Sequence, residues 1–298
     1  MIVHGAVVVD KGEGWTSHDV VARLRKTYGK RRVGHAGTLD PDATGVLVVG
    51  LGRATRLLRF VQDSGKAYRG EIAFGVSTTT LDAAGDVVDR APMAVERPDV
   101  EAATRAFLGE IEQLPPMVSA VKVKGRRLHE LARKGIEVER APRRVRVDRF
   151  DVEEFEPGPY PRATVLVECS SGTYIRSLAA DLGERLGGVA HLAALRRMRV
   201  GSFDLSQAHT LDEIERDPEA AMIEPVEMMR DLERIDVDAE QARAIAHGVT
   251  FPATLLAGED AGAGPFALVG PDGALLAVYE RRRSALKPTV VLAPVEAT

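Results

Sequence analysis

Between Gly34 and Gly45 the chain reads Gly-His-Ala-Gly-Thr-Leu-Asp-Pro-Asp-Ala-Thr-Gly, and the apolar run Val46-Leu47-Val48-Val49 follows at once. The glycines open backbone angles that other residues avoid, Pro41 fixes one dihedral, and Pro41 also pushes Asp40 toward an extended conformation. Such a segment is a shaped bend that delivers the chain into a buried strand. Asp40 is thereby aimed, with its carboxylate held where side chains meet solvent. Asp40-Pro41-Asp42-Ala43 equally suits a plain turn with no chemistry attached, since Asp and Pro favour turns anywhere.

The rest of the pattern defines a fold class. Val7-Val8-Val9 reads as a buried strand, and Thr16 or Ser17 caps a helix through Val20, Val21 and Leu24 that stops near Gly29. Leu57, Leu58 and Val61 share one face of a helix closed before Gly65, and strand alternation returns from Tyr68 to Phe74. Val145 to Phe155 and Ala163 to Cys169 read as strands around a Gly158-Pro159 turn, and Leu178 to Leu186 as a helix. This mixture predicts an α+β fold with a mixed, largely antiparallel sheet flanked by helices. An acidic segment, Asp204 to Glu240, is expected to lead out of this first unit, with a second beginning near Leu232. There, Ala239 to His247 suits a short helix ended by Gly248. Strands are expected at Phe266 to Val269, Ala274 to Tyr279 and Thr289 to Leu292, with a mobile loop at Gly258 to Pro265. The expected division is 1–231 and 232–298.

Composition narrows the function classes. The single cysteine, Cys169, excludes an intrachain disulfide, and seven scattered histidines give no metal-ligand spacing, so no metal site is expected. The start lacks the pattern of a secretory signal, and no apolar run approaches the roughly 20 residues needed to span a bilayer; a cytoplasmic protein without membrane partners is expected. The net charge of −4 hides an uneven distribution. Lys122 to Arg149 holds eleven Lys or Arg against four acids, whereas Asp204 to Glu240 holds thirteen acids against three arginines. The basic stretch suits a polyanion, or else an ordinary solvated face.

Four blocks then occur in order: Gly34 to Gly45; Lys66-Ala67-Tyr68-Arg69; Cys169-Ser170-Ser171-Gly172-Thr173-Tyr174-Ile175-Arg176; and Ala190-His191-Leu192 followed by Leu195-Arg196-Arg197. In residues and order they resemble the motifs of the TruB family of tRNA pseudouridine synthases, over roughly residues 1 to 230. The tail resembles, more loosely, the small, mostly-β PUA-type RNA-binding domain that follows in that family. The resemblance implies a pseudouridine synthase fold. The implied activity is isomerisation of uridine to pseudouridine at position 55 of the tRNA T-loop, without cofactors and without an obligate protein partner. A part in remodelling tRNA can coexist with it.

That reaction breaks the bond from ribose C1′ to uracil N1 and rejoins the base through C5, which calls for a nucleophile and an extruded nucleotide. The resemblance makes Asp40 the nucleophile; attack at C1′, attack at C6 and a glycal-forming elimination all stay open. It makes Tyr68 a stacking platform and a candidate for proton transfer, Arg176 the partner that orients Asp40, and Leu195 an apolar contact to the nucleotide. If Thr173 to Arg176 is extended, Tyr174 and Arg176 project from one face into one pocket. His35 is implied as an RNA contact, and Lys11 and Asp82 as further substrate-binding candidates. The sequence departs from the family pattern at Thr79, where relatives often carry an acid, which leaves any charge network in that loop open. Lys122, Lys124, Arg126, Arg127, Arg143, Arg144 and Arg146 are candidates for phosphate contacts, with Arg281 to Arg283 extending the footprint toward the acceptor side. Two rival readings are a non-catalytic RNA-remodelling protein and a glycoside hydrolase pairing Asp40 with a second carboxylate such as Asp42.

Overall fold

The computed structural model describes residues 4–117, 138, 140–256 and 262–292, together with the backbone of 122–123 and 126–127. Its centre is a ten-stranded sheet. The main path runs Met222–Ile223, Gly5–Lys11, Thr44–Leu51, Ala190–Val200, Lys66–Phe74, Arg162–Cys169, Arg143–Glu156, Gly109–Gln113. Val33–His35 and Phe203–Asp204 pair alongside. Every pairing in it is antiparallel except that of Thr44–Leu51 with Ala190–Val200. The expected α+β class with a mixed, largely antiparallel sheet is what forms.

The strand after the Asp40 bend is apolar throughout because both of its faces are covered. Leu47 and Val49 join Val7 and Val9 against Val20, Val21 and Leu24 of the helix Ser17–Thr27. Val46 and Val48 face the opposite way, onto Leu57, Leu58 and Val61. At about 1.5–3 kcal/mol per fully buried aliphatic side chain, this double burial fixes the register of the strand, and with it the place of the bend. Thr16 caps the helix with a reciprocal pair of bonds to Asp19, as its sequence predicts.

The strand Ala190–Val200 was not foreseen from its residues. It lies mid-sheet although it carries Arg196, Arg197 and Arg199, charges that hide its alternation. Each finds a local partner: Arg196 pairs with Asp10 at 2.7 Å, Arg199 with Glu168 at 2.6 Å, and Arg197 with backbone carbonyls. The parallel register sets Arg197 beside Gly45, whose φ is +100°, and a Cβ there would collide with the Arg197 backbone. Only glycine fits.

The first part of the acidic segment stays on the first unit, and its last residues lead out into a second sheet, as expected. Met222–Ile223 returns as the edge strand beside Gly5–Lys11, and Ile214 and Ala221 are buried against the helix Ser17–Thr27. The charge count missed these apolar anchors, which outweigh the exposed acids in deciding where the chain lies. From Glu233 the chain builds a five-stranded sheet that runs Glu233–Asp236, Phe266–Val269, Leu275–Arg282, Ala285–Val291, Phe251–Pro252, and the helix Ala239–Ala246 ends at Gly248 as expected. Val269, Leu275, Val278 and Val290 share a core with Val46, Val48 and Leu58, so the second sheet is packed onto the first unit. Arg53 and Arg56 reinforce the contact by donating to the carbonyls of Leu292 and Val291. The first half of the Gly258 to Pro265 loop and the tail beyond Leu292 lie outside the described residues.

Candidate active site

Four anchors shape the Asp40 bend. The Ser17 hydroxyl, buried under the helix start, donates to the Leu39 carbonyl at 3.1 Å and accepts from the Leu39 amide at 2.9 Å. The Lys11 ammonium, fully buried, donates to the carbonyls of Gly12, Trp15 and Pro41 at 2.9, 2.7 and 2.9 Å. Arg197, also buried, donates from Nε to Val46 and from its terminal nitrogens to Thr38 and Gly37. Within the bend, the Ala43 amide closes onto the Asp40 carbonyl at 3.1 Å. The bend is therefore a rigid mount.

On this mount Asp40 meets Arg176, whose Nη2 lies 3.2 Å from Asp40 Oδ2 while Nη1 lies 3.1 Å from Asp82 Oδ2. Arg176 is 8% exposed and Asp40 47%, so a buried guanidinium presents a half-exposed carboxylate. Burial pushes the Asp40 carboxyl above its usual range; Arg176 pulls it back down, and Asp82 pushes it up again. Asp82 is itself held by the Thr80 hydroxyl and the Ala84 amide. The Thr78 hydroxyl donates to the Asp82 carbonyl at 2.6 Å, and Arg176 adds a bond to the Thr80 carbonyl at 3.2 Å. Hydroxyls and the guanidinium organise this loop around Thr79.

A cavity of about 360 Å³ opens beside Asp40, lined among others by Leu39, Tyr68, Tyr174, Leu195 and Arg176. Its size suits one small ligand. Tyr68 lies deep in it, and Leu195 packs at its apolar side. Tyr174 and Arg176 reach the same cavity, but not from one strand face. The helix Ile175–Arg185 begins here, with Tyr174 as its extended N-cap and Arg176 in its first turn. The cap is pinned by Gln113, whose amide donates to the Tyr174 carbonyl at 3.0 Å and accepts from the Tyr174 amide at 2.7 Å. Those bonds give the backbone a partner before the helix starts, which the two-residue spacing could not reveal.

Other expected contacts fall elsewhere. Lys11 has no exposed surface for a substrate; it positions the bend by holding Pro41. Asp82 is not among the cavity's lining residues and acts on Asp40 through Arg176. His35 stands beside the cavity lining, its ring edge-on to His18 at 5.6 Å, and burial and the neighbouring cations push its imidazole toward the neutral form. Of the basic stretch, Arg143 lines the cavity, whereas Arg144 and Arg146 are exposed on the same strand, with Arg146 paired to Asp148 at 2.6 Å. Lys124 lies outside the described residues, and Lys122, Arg126 and Arg127 are described only as the backbone of a short ladder. Lys66 and Arg197 stand inside the sequence blocks, yet no local signal marks a role for either, and none connects Ser17 or Gln113 with the site.

Residues 25–175 match the model for the N-terminal domain of TruB family pseudouridylate synthases, 176–235 that for the tRNA pseudouridylate synthase B C-terminal domain, and 232–293 that for the tRNA pseudouridine synthase II C-terminal region. The chain is 47% identical over 296 residues to the tRNA pseudouridine synthase B of Thermobifida fusca, covering 97% of this chain and 98% of that protein. To the protein of the same name from Symbiobacterium thermophilum it is 50% identical over 248 residues, 83% of each. Among solved structures, a Cbf5–Nop10–Gar1 complex contains a chain that superposes with a TM-score of 0.77 at 26% identity, covering 99% of this chain and 87% of that one. The chain belongs to the TruB family.

Proposed function

We propose that this protein isomerises uridine to pseudouridine in tRNA, at position 55 of the T-loop, using Asp40 on a nucleotide turned out of the RNA. The observation that carries this reading is the Asp40–Arg176 pair at 3.2 Å, set at a cavity large enough for one nucleoside. A stacked uridine cannot reach that carboxylate, so the nucleotide has to be extruded. Tyr68 offers a stacking surface, a contact worth about 1–3 kcal/mol per base, which offsets part of the unstacking cost. Arg176 keeps Asp40 ionised and oriented, so that the carboxylate can add to the nucleoside and later leave.

In this reading residues 1–231 form the catalytic unit and 232–298 a PUA-like RNA-binding unit, in a cytoplasmic enzyme. Arg143, Arg144 and Arg146, with Lys122, Lys124, Arg126 and Arg127 along the chain, supply phosphate contacts near the cavity, and His35 touches the RNA beside it. Arg282 and Arg283, both exposed, extend the footprint toward the acceptor side. Pseudouridine has the mass of uridine, so the test is carbodiimide labelling of unmodified tRNA incubated with the protein, followed by mass spectrometric mapping. A single new label in the T-loop supports the reading; labels elsewhere, or none, refute it.

A further inference from the structure

The cavity is lined by four cationic side chains, Lys66, Arg143, Arg176 and Arg197, and by one carboxylate, Asp40. Arg176 is neutralised by Asp40 and Asp82. Two others, Lys66 and Arg197, are buried and are not so matched. Lys66 and Arg197 are 6% and 1% exposed, and neither has a carboxylate within ion-pair distance among the described residues. They lie close together: a Cβ built on Gly37 would sit 3.7 Å from Arg197 Nη1 and 3.8 Å from Lys66 Cε. Burying a charge without a counter-ion is costly, and burying two side by side more so.

Local structure explains part of this. Lys66 donates to the carbonyls of Gln62 and Ser64 at 2.7 and 2.9 Å, which finishes the helix Leu58–Asp63, and Arg197 holds the bend. Carbonyl dipoles satisfy hydrogen bonds but leave the net charge in place. The phenol of Tyr68 stands near Arg197 and both line the cavity, so its deep side joins two cations and a hydroxyl.

We infer that Lys66 and Arg197, with the Tyr68 hydroxyl, form an anion subsite that holds the uracil ring while it carries negative charge. The inference rests on the proposed isomerisation and adds to it the site of charge stabilisation. When the C1′–N1 bond breaks, its electron pair passes to the base, and the charge spreads over N1, O2 and O4. If Asp40 adds at C6 instead, the pair moves to an enolate at O4. In each route the C1′–N1 bond is broken, C5 bonds to C1′ and gives up its proton, N1 takes one up, and any bond from Asp40 to C1′ or C6 breaks with its electron pair returning to the carboxylate, so the charge leaves the base with no outside oxidant or reductant. Fixed positive charge on the buried side of the cavity acts where this charge develops and needs no reorganisation when it does. Arg197 acts partly through the neighbouring Tyr68, and in that respect is a positioning residue.

Lys66 makes the inference testable, because burial and the adjacent Arg197 push its ammonium down to about 8, against the opposing influence of Cys169 and Asp63. Deprotonation of Lys66 removes one of the two charges. The experiment is single-turnover conversion of saturating tRNA from about pH 6 to 10 by the wild-type chain, Lys66→Arg and Lys66→Met, with tRNA Kd measured alongside. The wild-type rate should fall as pH rises through the Lys66 value. Lys66→Arg, which stays charged throughout, should keep its rate there, and Lys66→Met should lose about 10²-fold in rate with Kd unchanged. An alkaline fall in Lys66→Arg identical to wild type, or a Lys66→Met rate equal to wild type, overturns the subsite. The Lys66→Arg profile decides the matter even if Lys66→Met does not fold. Absence of any pseudouridine with the wild-type chain would instead refute the proposed function, which separates the two failures.

Discussion

Replacing Lys11 by Met removes the ammonium that ties the Asp40 bend to the first strand while keeping an unbranched side chain of similar length. In the native chain that ammonium is fully buried and makes three bonds of 2.7 to 2.9 Å to the carbonyls of Gly12, Trp15 and Pro41. Each carbonyl stranded without a donor costs about 1–3 kcal/mol. Against this, the variant no longer buries a charge, which returns part of that cost. A net loss of about 2–4 kcal/mol follows from these opposing terms. Urea denaturation followed by far-UV circular dichroism reads it directly as a lower midpoint. The loss is concentrated at the bend, so single-turnover conversion should slow more than tRNA affinity falls. Unchanged midpoint and rate would show that Ser17 and Arg197 hold the bend alone, and that Lys11 has been misread.

Gly45→Ala forces a side chain into the Arg197 backbone at φ +100° and should cost more than about 3 kcal/mol, read by the same denaturation; a neutral result would mean the two strands can separate there. In Arg176→Met, the cation that pulls the Asp40 carboxyl down is gone while burial and Asp82 still push it up, so less of the nucleophile is ionised at a given acidity. The acid limb of the rate profile should therefore move to higher pH, and an unmoved limb would remove Arg176 from its assigned role. Arg143→Gln with Arg144→Gln should reduce the slope of log Kd against log salt by about 0.7 for each lost phosphate contact; an unchanged slope makes them solvated surface.

What was legible in the sequence was what local chemistry determines. The Thr16 cap, the doubly buried Val46 to Val49 strand and the Gly248 helix stop each depend on neighbours within a few residues. The Asp40 bend was legible as well, since glycine and proline act on their own dihedrals. Features created by distant pairing were not. Ala190–Val200 owes its central place to two strands far earlier in the chain, Thr44–Leu51 and Lys66–Phe74, and its arginines look exposed until Asp10, Glu168 and the Gly37 carbonyl are brought to them. Gln113 lies 61 residues from the Tyr174 backbone that it holds, so the start of the catalytic helix could not be placed by spacing. The acidic segment was legible only in part: its charge is conspicuous, but buried apolar residues such as Ile214 and Ala221 keep its first part on the first unit before it enters the second sheet at Glu233.

The central claim is that the Asp40 carboxylate, mounted on a rigid bend and oriented by Arg176, does the chemistry. Asp40→Asn keeps the shape and removes the charge. Its single-turnover conversion of tRNA, measured beside its tRNA Kd, tests the claim most directly. The expected result is no detectable pseudouridine with much of the RNA affinity retained, and conversion at the wild-type rate would contradict it.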